Sequence, residues 1–282
     1  MIKVCIAGQR RIAVEICDYI RTHWGNVSLY ALPNNSDKGI DGWQPSFLKY
    51  IRERDDIIQL TSIEDVYAFH EIIFLSLECD KIINPEKICS EKKYNLHFSL
   101  LPKYRGVYTS AWPIINEEHE SGVTLHYIDK GIDTGNIIAQ RKFPIYPNET
   151  AESLYSKYMD NGIKLVISLL PQILSTTHVP AIPQIEEDAS YYSRKSINYH
   201  NPTINFSQSA KKISAWIRAL YFPVFQLPQV HNYEISNVQI TNHPSVFPPG
   251  TLIDDTSEHI IVATQDMDVI LTKHKPNSNY QK

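Results

Sequence analysis

One short segment holds the polar side chains best suited to chemistry. Residues 95–106 read Asn-Leu-His-Phe-Ser-Leu-Leu-Pro-Lys-Tyr-Arg-Gly, so Asn95 and His97 stand two positions apart. In a β-strand, residues i and i+2 point to the same face, and the amide and the imidazole are therefore expected side by side. If this strand ends at the carboxyl edge of a parallel sheet, both side chains line the crevice where open α/β folds bind ligands.

A second segment supplies a carboxylate. Residues 129–135 read Asp-Lys-Gly-Ile-Asp-Thr-Gly, which places Asp133 on a tight loop flanked by glycine. An imidazole can manage protons, an amide can donate to a developing oxyanion, and a carboxylate can fix and polarise the imidazole. Together the three groups suit acyl transfer to an amine.

Two other interpretations of these residues stay open at this point. A histidine at the end of a strand is more often structural than catalytic. The Asp-Thr-Gly sequence also occurs in aspartic proteases, which need two such carboxylates. The chain holds one copy of it, so a protease would have to be a homodimer. The alternation of strands and helices argues against an all-β protease.

Strands and helices alternate in the first half of the chain, which predicts βαβ units and a parallel sheet. Apolar runs and their spacing predict strands over 2–7, 27–32, 57–60 and 72–77, and helices over 12–20, 44–54 and 62–69. One more strand ends at His97. Two others follow over 123–128 and 136–143, before a long helix over 150–174 for which Thr150 is the expected N-cap.

The pattern changes after residue 180. A helix is predicted over 207–220 with Ser207 as its cap, and short alternating segments past Pro223 predict strands. We therefore expect an α/β fold, with a Rossmann-like, parallel-rich sheet, flanking helices and a small C-terminal β-rich module. The expected domains are 1–185 for the sheet domain, 186–231 for a connecting segment with a helix, and 232–282 for the module.

Composition narrows the class of protein. The 282 residues are 43% hydrophobic, which is enough for a buried core. No apolar run reaches the roughly 20 residues that a membrane span needs, and the N-terminal run fits a buried strand better than a signal peptide. A cytoplasmic protein without membrane insertion is expected. None of the four cysteines forms a Cys-x-x-Cys pair, so buried structural thiols are predicted at Cys5, Cys17, Cys79 and Cys89.

Charge argues against a nucleic-acid partner. The formal net charge is −4, and the chain from His200 onward contains six basic and six acidic residues. A protein that holds nucleic acid usually carries a basic domain or stripe. The C-terminal third is neutral, and we expect no nucleic acid among the partners.

Together the two segments resemble the folate-dependent formyltransferase family. The family pattern Asn-x-His-x-Ser-Leu-Leu-Pro-x-x-Arg-Gly is met by 95–106, and 122–135 continue it as Gly-Val-Thr-Leu-His-Tyr-Ile-Asp-Lys-Gly-Ile-Asp-Thr-Gly. The resemblance implies N10-formyltetrahydrofolate as co-substrate, no metal, and a catalytic trio of Asn95, His97 and Asp133. His126 also falls in the motif and is predicted to be a structural strand residue. The resemblance further implies folate contacts from Leu77, Glu78, Lys81, Ile83, Asp129 and Gly131.

Within this family the chain most resembles sugar N-formyltransferases, at residues 8–14, 42–46, 76–83 and 217–223. The resemblance is nearest to enzymes that formylate dTDP-4-amino-4,6-dideoxyglucose for cell-surface glycans such as O-antigen, and it implies a homodimer. Methionyl-tRNA formyltransferases share the Arg-Gly ending but add a basic C-terminal domain, which the neutral tail does not match. A non-enzymatic folate or nucleotide-sugar binder, or a glycan-pathway scaffold, is the remaining alternative.

A nucleotide-linked sugar sets its own requirements for binding. Its diphosphate needs cations and donors, and its base needs an aromatic stacking partner. Either Arg10 or Arg11 could meet the phosphates, and Trp43 is predicted to lie in the core. The predicted substrate contacts are Gln9, Arg10, Arg105, Tyr108, Arg218 and Tyr221.

Overall fold

Strands and helices alternate as predicted along the first part of the chain. The computed structural model describes residues 1–175, 178–199 and 202–275. The elements up to the end of the sheet are β1 Ile2–Gly8, α1 Arg10–His23, β2 Val27–Pro33, α2 Phe47–Arg52, β3 Ile57–Gln59, α3 Ile63–Tyr67, β4 Ile73–Leu77, β5 Lys93–His97, β6 Arg105–Gly106, α4 Trp112–Ile115, β7 Glu120–Tyr127 and β8 Ile137–Pro144. The remaining elements are α5 Ala151–Ser175, a 3-10 turn at Glu186–Asp188, β9 Tyr191–Tyr192, α6 Ala210–Leu220, β10 Gln229–Val230, β11 Tyr233–Pro244, β12 Leu252–Asp255, β13 His259–Val262 and β14 Met267–Lys273.

These elements form two compact units. The first unit comprises Met1–Gly106, Gly122–Phe143 and Lys157–Tyr191, and the second comprises Val107–Ser121, Pro144–Ser156 and the chain from Tyr192 onward. The predicted domain boundaries at residues 185 and 231 stay predictions.

A seven-stranded sheet in the order β3-β2-β1-β4-β5-β7-β8 is the centre of the first unit. The five strands from β3 to β5 are parallel, and β7 runs antiparallel to β5. The parallel-rich, Rossmann-like sheet is therefore confirmed, with an antiparallel strand beside the one that carries Asn95. Helix α1 buries Ile12, Ile16 and Ile20, as its predicted helical spacing requires.

The second unit holds a five-stranded antiparallel sheet in the order β10-β11-β14-β13-β12, which confirms the β-rich module. Helix α6 packs on it through Ile213 and Ile217, which share an apolar cluster with Ile235 and Leu271. The predicted cap of this helix is wrong. Ser209, not Ser207, accepts a hydrogen bond from the Lys212 amide, because the helix begins only at Ala210.

Capping explains where two other helices begin. Ser46 accepts from the Lys49 amide at the start of α2, and the Thr150 hydroxyl accepts from the Ser153 amide at the start of α5, as predicted. Within the described ranges, no helix is long and apolar enough to cross a membrane.

Candidate active site

The predicted trio meets at the carboxyl end of β5. Asn95 Nδ2 donates to Asp133 Oδ1 across 3.2 Å, and His97 Nδ1 lies 3.5 Å from the same oxygen. The two-residue spacing puts the amide and the imidazole on one face of β5, and the loop between β7 and β8 brings the carboxylate to them. The structure thus brings together all three predicted residues, and their catalytic roles remain a prediction.

The orientation of His97 is fixed by the segment that follows β5. Its Nε2 lies 2.7 Å from the carbonyl oxygen of Tyr104, so this nitrogen carries the proton and donates it. Tyr104 has a left-handed φ of 62°, and its own amide donates to Ser190 Oγ at 2.8 Å. Because Nε2 donates to the Tyr104 carbonyl, Nδ1 is the nitrogen that faces Asp133. Nδ1 is therefore the ring atom that can accept or release a proton.

Asp133 is held as a carboxylate. The Gly106 amide donates to its Oδ2 across 2.9 Å. Burial alone would raise the pKa of Asp133, but the electrostatic interaction with the His97 imidazole and the contacts with His126 and Gly106 outweigh burial and hold the pKa well below its ordinary value. An ionised carboxylate beside His97 stabilises a positive charge on that imidazole.

His126 belongs to this network, although the sequence predicted only a strand residue. The antiparallel register sets it directly opposite Asn95. Its Nδ1 lies 2.8 Å from the Tyr127 carbonyl and therefore donates, so its Nε2 accepts from Asn95 Nδ2 at 3.0 Å. Both Nδ2 hydrogens of Asn95 are thus used, one by His126 and one by Asp133. Asn95 can donate to an oxyanion only by releasing one of them.

Replacing His126 by phenylalanine is expected to lower kcat about tenfold, because the Asn95 amide loses the acceptor that orients it. The larger ring and the loss of two buried hydrogen bonds should also lower the thermal midpoint, so kcat is to be measured well below that midpoint. Steady-state kinetics on His126→Phe would be compared with His70→Phe, an exposed position away from the trio. Equal kcat values for the two variants would contradict this role.

Two loops carry the residues implied in folate binding. Leu77 ends β4, and Glu78, Lys81 and Ile83 follow it, while Asp129 and Gly131 lie after β7. Side chains from both loops, Cys79 and Ile83 from one and Ile128 from the other, pack on one apolar cluster. An ion pair of 2.6 Å between Lys130 and Glu86 also joins these two parts of the chain. The two loops therefore contact one another, and the contact of the predicted residues with folate stays a prediction.

Hydrogen bonds fix the shape of both loops. Asn34 Nδ2 donates to the Glu78 carbonyl at 2.8 Å, and Lys81 Nζ donates to the Pro33 carbonyl at 2.9 Å. Asp129 Oδ1 accepts from the Gly131 amide and from Thr134 Oγ1. The first unit also holds four non-glycine residues with left-handed φ in these loops and beside the trio, namely Arg10, Glu78, Tyr104 and Asp133. Such conformations are costly and collect at functional sites.

Of the two candidate arginines, Arg10 lies beside the loop that follows β4. Its guanidinium is 3.3 Å from Glu78 Oε1 and 5.2 Å from the Trp43 ring. Arg11 instead pairs with Asp160 and Glu15. Trp43 is 37% exposed, so its predicted core position is wrong. Exposed Cys89 likewise departs from the predicted burial, whereas Cys5 and Cys17 are buried.

The other predicted substrate residues divide between the two units. Gln9 in the first unit accepts from Ser36 Oγ, and Arg105 is buried against Gln184 and Glu186. Tyr108, Arg218 and Tyr221 belong to the second unit. There, Tyr108 donates to the Arg194 carbonyl, and Arg218 donates to the Glu149 carbonyl at 2.8 Å. Arg218 and Tyr221 line a small cleft of about 120 Å³. Burial lowers the pKa of Arg218 from its ordinary value.

The sequence matches the formyl transferase family over residues 68–170 and the formyl transferase C-terminal domain over 196–280. The chain belongs to the formyltransferase family and is a formyl-group transferase.

Two solved structures extend the comparison over nearly the whole chain. The N-formyltransferase from Helicobacter canadensis in complex with folinic acid and dTDP-3-aminofucose is 40% identical, with a TM-score of 0.87 and coverage of 97% of this chain and 100% of that chain. WlaRD, a sugar 3N-formyltransferase solved with dTDP and 5-N-formyl-THF, is 38% identical, with a TM-score of 0.88 and coverage of 98% and 99%. Methionyl-tRNA formyltransferase from Staphylococcus aureus strain MW2 is 30% identical over 233 residues, which are 82% of this chain and 72% of that protein.

Proposed function

We propose that this enzyme transfers a formyl group from N10-formyltetrahydrofolate to the amine of a dTDP-linked amino sugar. The observation that carries the proposal is the network in which Asp133 contacts both Asn95 and His97. Likeness at 38–40% identity to two enzymes solved with folates and dTDP ligands supports the substrate class, since it extends over nearly all of the chain.

The position of the amine is a finer question. Both of these similar enzymes are described with a 3-amino sugar or as a 3N-formyltransferase, and this favours an amine at C-3. The sequence resemblance was nearest to enzymes that formylate dTDP-4-amino-4,6-dideoxyglucose, but no motif in the sequence sets the position of the amine. We take the C-3 amine as the first candidate and the C-4 amine as the second.

The proposed chemistry begins at the substrate amine. A neutral substrate amine attacks the formyl carbon, so that a nitrogen–carbon bond forms and the formyl oxygen becomes an oxyanion. His97 Nδ1 accepts the amine proton, because Nε2 is held by the Tyr104 carbonyl. Asp133 stabilises the resulting imidazolium, and an Nδ2 hydrogen of Asn95 turns to the oxyanion.

The collapse of the intermediate returns the proton. The bond between the formyl carbon and N10 breaks, and N10 takes the proton from the His97 imidazolium. The products are the formylated sugar and tetrahydrofolate, and His97 and Asp133 regain their starting states. A single imidazole next to one low-pKa carboxylate therefore serves as base and then as acid.

The tRNA reaction is the second candidate, because a methionyl-tRNA formyltransferase is 30% identical to this chain. Charge distinguishes the two substrates. A tRNA is held through many phosphates by lysine and arginine, and the chain from His200 onward has equal numbers of basic and acidic residues. A nucleotide diphosphate needs only a few cations.

The deciding experiment is an end-point assay with N10-formyltetrahydrofolate and four acceptors. The acceptors are dTDP sugars with the amine at C-3 or at C-4, a UDP amino sugar, and charged initiator tRNA, and the readout is mass gain of one formyl group. We expect the C-3 dTDP sugar to react fastest, and His97→Ala to abolish the gain. Formylation of tRNA alone would overturn the sugar proposal. Formylation of the C-4 sugar alone would show that the acceptor amine is at C-4 and not at C-3.

A further inference from the structure

In the segment at 182–188, apolar side chains are exposed to solvent and a polar side chain points inward. Ile182 and Ile185 are 65% and 60% exposed, and every other residue from 182 to 188 is exposed except Gln184. A surface segment normally turns its apolar side chains inward and its amides to water. Here the one inward side chain is a primary amide, so its hydrogen bonds must account for its position.

Gln184 directly contacts the loop between β7 and β8, which carries Asp133. Its Nε2 donates to the carbonyl oxygens of Asp133 and Gly135, both across 2.8 Å. Its Oε1 accepts from Arg105, at 3.1 Å from Nε and at 2.8 Å from Nη2. Both donors and both acceptor positions of the amide are therefore satisfied. The two carbonyls bracket Thr134, so the amide clamps the backbone on each side of that residue.

Arg105 fixes the amide in turn. Its guanidinium forms a two-pronged contact with Glu186, at 2.7 Å from Nη2 to Oε1 and at 2.9 Å from Nη1 to Oε2. Arg105 as a whole is only 6% exposed. The next residue, Gly106, donates its amide to Asp133 Oδ2. Two neighbouring residues therefore hold Asp133. Gly106 donates to its carboxylate, and Arg105 acts on its backbone carbonyl through Gln184.

We propose that Gln184, held by Arg105, is a positioning residue that sets the Asp133 carboxylate for formyl transfer. Asp133 has a left-handed φ of 56°, which is unfavourable for a residue with a Cβ. Two hydrogen bonds from one rigidly held amide keep the loop in that conformation. Arg105, predicted from the sequence to bind the diphosphate, instead acts through Gln184. The inference rests on the proposed function for the reaction it serves.

The first test removes the amide while keeping its length. Gln184→Met should lower kcat about 30-fold, because small displacements of catalytic groups are costly, and should leave KM for both substrates within about twofold. Arg105→Met should do the same. The double variant should be no slower than either single one, since both changes remove the same positioning effect. A rise in KM for the nucleotide sugar in Arg105→Met would instead place Arg105 on the diphosphate and overturn the proposal.

A second variant tests whether a loss of kcat comes from the lost hydrogen bonds and not from misfolding. Gln184→Glu keeps the contact with Arg105 but sets a carboxylate oxygen against the two carbonyls, to which it cannot donate. With its thermal midpoint measured as a check of folding, it should show at least the same loss of kcat. Glu187→Met, at an exposed neighbouring position, is the matched control and should retain wild-type kcat. Wild-type kcat in Gln184→Glu would overturn the proposal.

Hydrogen exchange separates this inference from the choice of substrate. Amides of residues 131–135 should exchange at least tenfold faster in Gln184→Met than in wild type or in Glu187→Met, whether or not a substrate has been found. If wild type formylates no sugar, the proposed substrate fails while the exchange result still decides the role of Gln184. Unchanged exchange in the loop would overturn the positioning role by itself.

Discussion

Replacing Asp133 by asparagine is expected to lower kcat about 1000-fold. Among the described residues, the Asp133 carboxylate is the negative group in contact with His97. A neutral amide in its place cannot stabilise an imidazolium. The amide would also set an NH2 group against either the Gly106 amide or the Asn95 amide, both of which donate. Single-turnover measurements of formyl transfer at saturating substrate would give the rate of the chemical step.

Asp188→Asn is the matched control for this change, because it makes the same substitution at an exposed position of the same unit. It should retain wild-type kcat. An Asp133→Asn enzyme with more than a tenth of wild-type activity would rule out the proposed role of the carboxylate.

The same substitution has a consequence for acid stability. The pKa of Asp133 is lower in the folded chain than the value of about 3.9 expected when unfolded. The carboxylate therefore stabilises the fold above that unfolded value, and this contribution is lost as the pH falls toward the folded pKa. In Asp133→Asn, the free energy of unfolding should fall less steeply below about pH 4 than it does in wild type.

Replacing Gly135 by alanine is expected to lower kcat more than 100-fold and to destabilise the fold by about 3 kcal/mol. A Cβ at this position would lie 1.8 Å from the Tyr127 carbonyl oxygen, which is a backbone atom and cannot move aside by a rotamer change. The loop would have to shift, and Asp133 would shift with it. Thermal unfolding and kcat together would measure the two effects.

Gly25→Ala provides the comparison for that variant. No atom lies within 4 Å of a Cβ built at Gly25, and this change should leave activity and the thermal midpoint unchanged or slightly raised. If Gly135→Ala matched Gly25→Ala in both measurements, the close approach of Tyr127 would have no bearing on the site.

The trio could be predicted from the sequence because its geometry is largely local. A two-residue spacing places Asn95 and His97 on one face of any strand, and a glycine-flanked loop marks Asp133. The parallel-rich sheet was equally accessible, since buried apolar runs alternate with amphipathic helices such as α1. Patterns of this kind depend on neighbours in the chain, which a single sequence displays directly.

His126 and Gln184 could not be predicted, because their roles depend on pairings distant in sequence. Only the antiparallel register of β5 and β7 sets His126 against Asn95. Gln184 meets Arg105 across 79 positions, and no spacing rule joins them. The pair of Arg105 with Glu186 could not be predicted either, since an arginine in a motif gives no sign of an internal carboxylate partner, and the predicted substrate contact of Arg105 stays a prediction.

Attempts to make this enzyme more heat-resistant will meet a conflict at the left-handed residues around the site. Glycine adopts that conformation without the roughly 1 kcal/mol penalty that a residue with a Cβ incurs. A screen for stability alone would therefore favour glycine at positions such as Glu78 and Tyr104. Each such gain would loosen either the loop that follows β4 or the segment whose Tyr104 carbonyl accepts from His97. Stabilising substitutions should instead be sought on surfaces away from the trio, where a gain in stability does not lower activity.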